Sequence, residues 1–110
     1  MAGAYYRLQD LILVPGTPTN QRLEDAIDVL AYSTVTVQVR VPEFAAPGNL
    51  VIQHAAVFEE SAFMDSGLVI ATNATGSYSG TLENPLRFVR WRWDAATAVS
   101  FLIDVIARDN

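Results

Sequence analysis

The chain contains no cysteine and no lysine, and it has a single histidine. Without cysteine there can be no disulfide, thiolate metal site or thiol nucleophile, so the fold must depend on packing. All seven basic residues are Arg, and they are outnumbered by twelve acidic residues, which gives a net charge of -5. Because no basic run is present to neutralise a phosphate backbone, we expect no nucleic-acid partner.

Long apolar runs are also missing. The uninterrupted apolar runs, such as Leu11–Val14, are short, and they fall far below the length of a membrane span. The first residues lack the basic segment and apolar stretch of a secretory signal, so we expect a soluble chain with no membrane partner. Since 51% of the 110 residues are apolar and 17% are charged, the composition predicts one folded domain over residues 1–110.

The clearest strand signal is a strict alternation of Val with polar residues across Ser33–Val41. Successive side chains of an extended chain point to opposite faces, so this pattern predicts a half-buried strand. Pro42 ends it, and a loop with a turn at Pro47 and Gly48 leads to a second extended segment, Leu50–Phe58. We predict that these two strands form an antiparallel hairpin.

A second pair of strands is predicted near the end of the chain. Leu86–Asp94 is rich in aromatic and β-branched residues, and Val99–Arg108 alternates again after a turn of small residues. We predict that they form a second hairpin. Val89, Trp91 and Trp93 share one face of the first of these strands, and Arg90 and Arg92 lie on the other.

The remaining segments are shorter. Asn20–Tyr32 fits a helix or a strand, and we favour a strand because the other strands leave sheet faces to be covered. Glu59–Asp65 fits a helical turn or an irregular loop. Further extended segments are Tyr6–Val14, Gly67–Thr72 and Tyr78–Leu82. The sum predicts an all-β, antiparallel sandwich of about eight strands, similar to a jelly roll.

Catalytic chemistry has little support. His54 lies in an apolar strand, where hydrogen bonding within the fold is the expected role. The carboxylate pairs Glu59 with Glu60 and Asp25 with Asp28 are expected to be solvated surface charges. A calcium site at Asp65 with Asn73 or Asp94 stays open, although no loop has EF-hand spacing. We therefore predict a protein that is not an enzyme, with no catalytic residues, metal or cofactor.

Aromatic side chains suggest two binding modes. Trp91 is expected in the core, whereas Trp93 is nearer the strand end, so core packing and exposure both stay open. If exposed, Trp93 could stack on a sugar, with Tyr78 as a second candidate. On the opposite face, Arg90 and Arg92 are expected to be solvent-exposed or paired with acids such as Asp104.

Apolar residues on both faces of the predicted second hairpin favour subunit association. One face would cover the core of its own domain, and the other would need a different cover. Association would also hide open sheet edges. The predicted interface residues are Phe88, Arg90, Arg92, Leu102 and Ile106.

Four stretches in order carry a resemblance. They are Tyr32–Val41, Gly48–Ala56, Leu86–Trp93 and Phe101–Asp109. Together they resemble small β-sandwich proteins of tailed bacteriophages and phage-derived particles, which decorate or cement capsids or serve as tail and adaptor components. The stretch Arg87–Trp91 also looks like a strand of discoidin-type and other carbohydrate-binding sandwiches, from which no binding residue can be transferred.

The resemblance implies a homo-oligomeric structural protein of a virion or phage-like particle, bound to a protein lattice such as a major capsid protein. Outside such a particle the expected location is the cytoplasm. The alternative is a carbohydrate-binding module that uses exposed aromatic residues.

Overall fold

A computed structural model describes residues 3–16, 18–43, 47–95 and 97–109. These residues form two antiparallel sheets packed face to face, which confirms the predicted all-β sandwich. The described strands are β1 Gly3–Pro15, β2 Thr19–Asn20, β3 Ile27–Asp28, β4 Thr34–Val41, β5 Gly48–Ala55, β6 Met64–Thr72, β7 Gly76–Glu83, β8 Phe88–Asp94 and β9 Ala98–Arg108. Single 3₁₀ turns cover Leu23–Asp25 and Glu60–Ala62.

Sheet A has the strand order β1-β9-β4-β7, and sheet B has the order β2-β8-β5-β6, with β3 also paired to β8. The chain moves to the opposite sheet between consecutive strands, except from β2 to β3 and from β5 to β6. This wrapping of one chain around two sheets is that of a jelly roll.

The prediction of two hairpins is wrong, because in neither pair are the two strands hydrogen-bonded to each other. β4 pairs with β7 and β9, whereas β5 pairs with β6 and β8, so the first two predicted partners lie in different sheets. β8 and β9 are likewise separated, although only residues 95–97 connect them. Two strands that each have an apolar face can bury it either as neighbours in one sheet or across the core from each other. In both predicted pairs the two strands lie in opposite sheets and pack across the core.

The ambiguous segment 20–32 is neither a helix nor a continuous strand. Its described structure is a 3₁₀ turn between the two short strands β2 and β3, both of which pair with β8. Ile27 and Val29 pack against the core, but Leu30, which the helical spacing would place on the same face, is 67% exposed. The strand prediction is therefore correct only at the two short pairings.

The core lies between the sheets and follows the predicted alternation. Val35, Val37, Val39 and Val41 of β4 are all buried. Trp91 and Trp93 of β8 meet Phe101 of β9 across the sandwich, with ring centroids 5.0 and 6.3 Å apart. Both indole N–H groups find acceptors, at 3.1 Å on Gln9 Oε1 and at 2.9 Å on the Thr97 carbonyl, so their burial leaves no unpaired donor.

Buried Gln21 links the two sheets. Its Nε2 donates to the Leu8 carbonyl of β1 at 2.5 Å, and its Oε1 accepts the Trp91 amide of β8 at 3.3 Å. Its own backbone amide donates to the Trp91 carbonyl at 2.9 Å. A single side chain thus joins sheet A to sheet B by hydrogen bonds at the β1 side of the sandwich.

Gly48 leaves the space that Trp93 occupies. A Cβ on Gly48 would overlap the Trp93 ring, which is fully buried and has no room to move. We expect Gly48→Ala to lower the free energy of unfolding by about 1–3 kcal/mol, the usual cost of overpacking a core. A urea titration would measure it, with Gly3→Ala as the control because a Cβ there has only ordinary contacts. Equal stability of the two variants would contradict this packing.

Candidate functional site: two outer faces

The sandwich has two outer faces, and they differ in how far other parts of the chain cover them. The outer face of sheet B is crossed by residues 56–63, the connection between β5 and β6. Residues of that connection contact it directly: the Phe58 ring lies 5.4 Å from the Phe88 ring, and the Phe63 ring lies 4.3 Å from the Arg90 guanidinium carbon. We call this surface the covered face.

Arg90 is the centre of the covered face and is only 2% exposed. Its guanidinium donates to Gln53 Oε1 at 2.9 Å, to the Gln21 carbonyl at 3.2 Å and to Glu60 Oε2 at 2.5 Å. The Phe63 ring adds a cation–π contact. A buried guanidinium needs this many partners, because unpaired buried charge is strongly destabilising.

The expected positions of Arg90 and Arg92 were therefore wrong in part. Arg90 is not solvent-exposed, and neither Arg pairs with Asp104. Arg92 instead forms ion pairs with Asp65 at 2.9 Å and with Asp94 at 3.2 Å. The expected pairing with Asp104 required β8 and β9 to be neighbours in one sheet, and they lie in opposite sheets.

The outer face of sheet A has a different character. The strand register places Tyr5, Ile106, Thr36 and Thr81 in one row across the sheet, and Arg7, Asp104, Gln38 and Ser79 in the next. We call these two rows the open face. Tyr5 is 59% and Ile106 is 42% exposed.

Asp104 organises the open face. It accepts hydrogen bonds from the Tyr5 hydroxyl, from Arg7 Nε at 2.5 Å and from Arg40 Nη2 at 3.1 Å. Partial burial on its own would raise the pKa of Asp104, but these three donors outweigh the desolvation and lower the pKa. The carboxylate is therefore ionised at neutral pH, and its charge is balanced by its two Arg partners.

The five predicted interface residues do not form one surface. Phe88, Arg90 and Arg92 lie on the covered face. Leu102 and Ile106 lie on the outer side of sheet A. Their interface role stays a prediction, but any single partner surface can include at most one of these groups, because the whole sandwich separates them.

Trp93 cannot stack on a ligand, because it is fully buried. It faces Phe101 and Gly48 inside the core, so the exposed position near the strand end was the wrong alternative. Tyr78 is half-buried against the core, and its hydroxyl donates to the Ala74 carbonyl at 2.8 Å. A sugar platform built on these two residues is not present.

The candidate acid and base groups have structural partners. His54 Nδ1 accepts the Leu86 amide at 3.2 Å, and burial lowers the pKa of His54. Arg87 holds Asp28 at 3.0 Å and lowers the pKa of that carboxyl. Asp25 pairs with Arg22 at 3.1 Å. Within the described ranges no group of three His, Cys, Asp or Glu side chains is arranged to hold a metal ion.

Sequence reasoning missed the exposed edge that β1 forms in sheet A. β1 pairs with β9 on one side, and the described residues include no strand on its other side. Leu11 and Leu13 are 58% and 59% exposed near this edge. The available signal was the run Leu11–Val14, in which adjacent apolar residues must point to opposite faces. In the described part of the chain, no helix has the length and hydropathy needed to cross a membrane.

The Arg90–Glu60 pair predicts how the covered face responds to pH. The hydrogen bond from Arg90 lowers the pKa of Glu60, so its contribution to stability is complete above the unfolded-state pKa and is lost as the pH falls through the lower folded-state pKa. Because Glu60 is largely exposed, we expect Glu60→Gln to cost only about 1 kcal/mol at neutral pH.

Thermal or urea unfolding at several pH values would check this, with Glu59→Gln as the control. Glu59 is adjacent and exposed but forms no ion pair with the described residues. The difference between the Glu60→Gln variant and the parent should shrink as the pH is lowered below the usual range of a glutamate. A difference that is constant with pH would mean that the ionisation of Glu60 does not contribute to stability.

Comparison with known proteins supports the fold. No protein-family model matches the chain, and no curated protein matches its sequence. Among solved structures, the SPBc2 prophage-derived protein YomS is similar, with a TM-score of 0.62 and 11% identity over 96% of this chain and 92% of that one. The K1 and K3 cleaved adhesin domains of Lys-gingipain from Porphyromonas gingivalis W83 have TM-scores of 0.57 and 0.56.

Identity to the K1 domain is 9% over 100% of this chain and 99% of that one, and identity to the K3 domain is 15% over 90% and 64%. At such identities the likeness shows a shared fold. The chain is therefore similar in architecture to a prophage-derived protein and to bacterial adhesin domains.

Proposed function

We propose that this chain is a non-catalytic structural subunit of a phage-like particle, which associates with copies of itself through β1 and binds a protein lattice such as a major capsid protein. The observation that carries the proposal is the edge of β1. It is thirteen residues long, is unpaired by described residues on one side, and has the exposed side chains Leu11 and Leu13 beside it. Exposed apolar edges of this length favour pairing with another chain.

A second copy is the partner that fits this edge. Two β1 strands related by a two-fold axis would pair antiparallel and join two copies of sheet A into one continuous sheet. Cross-strand contacts between apolar side chains stabilise such a pair. Bulges between Arg7 and Ile12, together with the bond from Gln21 to the Leu8 carbonyl, interrupt the middle of the edge. Pairing would therefore be concentrated at its ends. Leu13 lies at one of them, directly after the bulged segment that contains Leu11.

The state of the titratable groups supports a non-catalytic role. Catalytic acids and bases need pKa values near the working pH. Here the pKa values of Asp28, Glu60, Asp65 and Asp104 are all lowered by hydrogen-bonding partners, and the pKa of His54 is lowered by burial. At neutral pH each of these four carboxylates is therefore fully ionised and occupied by its donors.

The likeness in fold to a prophage-derived protein supports the particle as the setting. Two other solved structures of similar fold are cleaved adhesin domains, and adhesion by a surface is compatible with the proposed role. In this chain, the β1 edge is the edge with exposed Leu side chains beside it, which is why we assign the contact between copies to it.

Replacing both leucines tests the proposal. We expect the wild-type chain to form dimers or larger assemblies at micromolar concentration, and Leu11→Lys with Leu13→Lys to raise the dissociation constant at least tenfold. Lys is the residue that most often protects natural edge strands from pairing, and each lost leucine removes apolar burial. Because the chain carries a net charge of -5, association should strengthen with added salt.

Mass photometry and sedimentation velocity would measure the assembly state. The matched control is Leu30→Lys, because Leu30 is as exposed as the edge leucines but lies in the turn after β3. It should associate like the wild type. A wild-type chain that is monomeric at every concentration, or a control that dissociates as readily as the double variant, would refute assembly through β1.

A further inference from the structure

We infer that the open face holds a binding site for a neutral oligosaccharide, with Tyr5 as its stacking surface and Gln38 and Ser79 as its hydrogen-bonding groups. The site is a shallow depression of about 340 Å³ lined by Tyr5, Thr36, Gln38, Ser79, Asp104 and Ile106. Its volume is at the lower end of small-ligand sites. It differs from the platform of Trp93 and Tyr78 and does not depend on assembly through β1.

The shape of the depression suits a chain of sugar rings. It extends across all four strands of sheet A, from Tyr5 on β1 to Ser79 on β7. Three inter-strand spacings correspond to about 14 Å, which is longer than one pyranose ring. A sugar oligomer could therefore lie across the strands, with one ring on Tyr5 and the next over the floor formed by β9 and β4.

The Tyr5 ring is held in place before any ligand arrives. Its hydroxyl donates to Asp104 and accepts a hydrogen bond from Arg7 Nε at 3.2 Å, while the side chain stays 59% exposed. An aromatic ring fixed in this way loses little conformational freedom on binding. Together with Ile106 it offers an apolar surface of the kind on which the C–H face of a sugar packs.

Hydrogen-bonding groups lie next to this apolar surface. Gln38 and Ser79 are directly opposite in the register of β4 and β7, and both are exposed. Within the described residues, neither the Gln38 amide nor the Ser79 hydroxyl has a hydrogen-bond partner. The pair can both donate to and accept from sugar hydroxyls. The Thr36 and Thr81 hydroxyls, in contrast, are 3.2 Å apart and already bonded to each other.

The charge of the site points to a neutral ligand. The one ionised group in the depression is Asp104, which is compensated by Arg7 and Arg40. Arg7 is in turn 3.4 Å from Asp10. Two cations and two anions leave no net charge to attract a phosphate, a sulfate or a uronic acid. An uncharged molecule with hydroxyl groups and an apolar face matches the exposed Tyr5 ring and the polar groups of Gln38 and Ser79, which no described residue pairs.

A ¹H–¹⁵N NMR titration of the full chain would test the site. The probes are three neutral hexasaccharides, cellohexaose, mannohexaose and chitohexaose, with hexagalacturonate as the charged comparison. We expect at least one neutral probe to shift the amide signals of Tyr5, Gln38, Ser79 and Ile106, with a dissociation constant that does not change between low and high salt. Hexagalacturonate should not bind there.

Variants separate this site from a general surface effect. Tyr5→Ala and Gln38→Ala should each weaken binding by about tenfold, the scale of one lost stacking contact or of a hydrogen-bonding group. Ser79→Ala should weaken it, whereas Ser77→Ala should not, although Ser77 lies on the same strand and the same face, outside the depression. Signal dispersion in each spectrum would report that the variant is folded.

Three results would overturn the inference. The first is the absence of any shift at the open face with all three neutral probes. The second is a dissociation constant that is unchanged by both Tyr5→Ala and Gln38→Ala. The third is binding of hexagalacturonate at the same residues as tightly as the best neutral probe. None of these results depends on the assembly state of Leu11→Lys with Leu13→Lys, so failure here and failure of the proposed function can be distinguished.

Discussion

The contact of Trp91 and Trp93 with Phe101 is the constraint on which the rest of the structure depends. These rings belong to different sheets, so their packing sets how β8 and β9 face each other across the core. The stabilisation comes from apolar burial and ring geometry, because backbone hydrogen bonds stabilise each sheet but not the contact between sheets. Gln21 supplements this contact at one side with hydrogen bonds to both sheets. Everything that lies on an outer face is positioned by this internal arrangement.

The two outer faces then follow from what the connections do. Residues 56–63 return over sheet B, where Phe63 and Glu60 enclose Arg90 and leave it almost no contact with water. None of the described residues makes such a covering contact with Tyr5 and Ile106 on sheet A, and both stay exposed around the charge-balanced Asp104. The chain thus covers the outer face of sheet B with its own residues. It leaves the open face of sheet A, with the β1 edge beside it, available for binding. A buried Arg is the more costly arrangement, and it is stable because each of its three nitrogens donates to an acceptor.

Sequence patterns predicted the strands well and their pairing poorly. The alternation in Ser33–Val41 identified β4 and its buried valines, and the same reasoning identified β8 and β9 with their inward faces. It could not show that β8 and β9 belong to different sheets, since the inward residues of a strand are the same whether its partner lies beside it or across the core. The mistaken positions of Arg92 and Asp104 follow from that one ambiguity. Arg90 was misplaced for a different reason, because an outward side chain was taken to be exposed when a distant connection covers it.

The sequence by itself determined that the chain is an all-β sandwich, that the alternating valines of β4 face the core, and that Trp91 belongs there, because side-chain period and apolar content are local properties. Only the tertiary structure decided which strands are neighbours, that Trp93 is buried against Gly48, and that Tyr5, Gln38, Asp104 and Ser79 share one surface. These residues come from four strands that are far apart in the chain. Their proximity depends on the register of long-range pairings, and register is a property of two segments together that neither segment encodes alone.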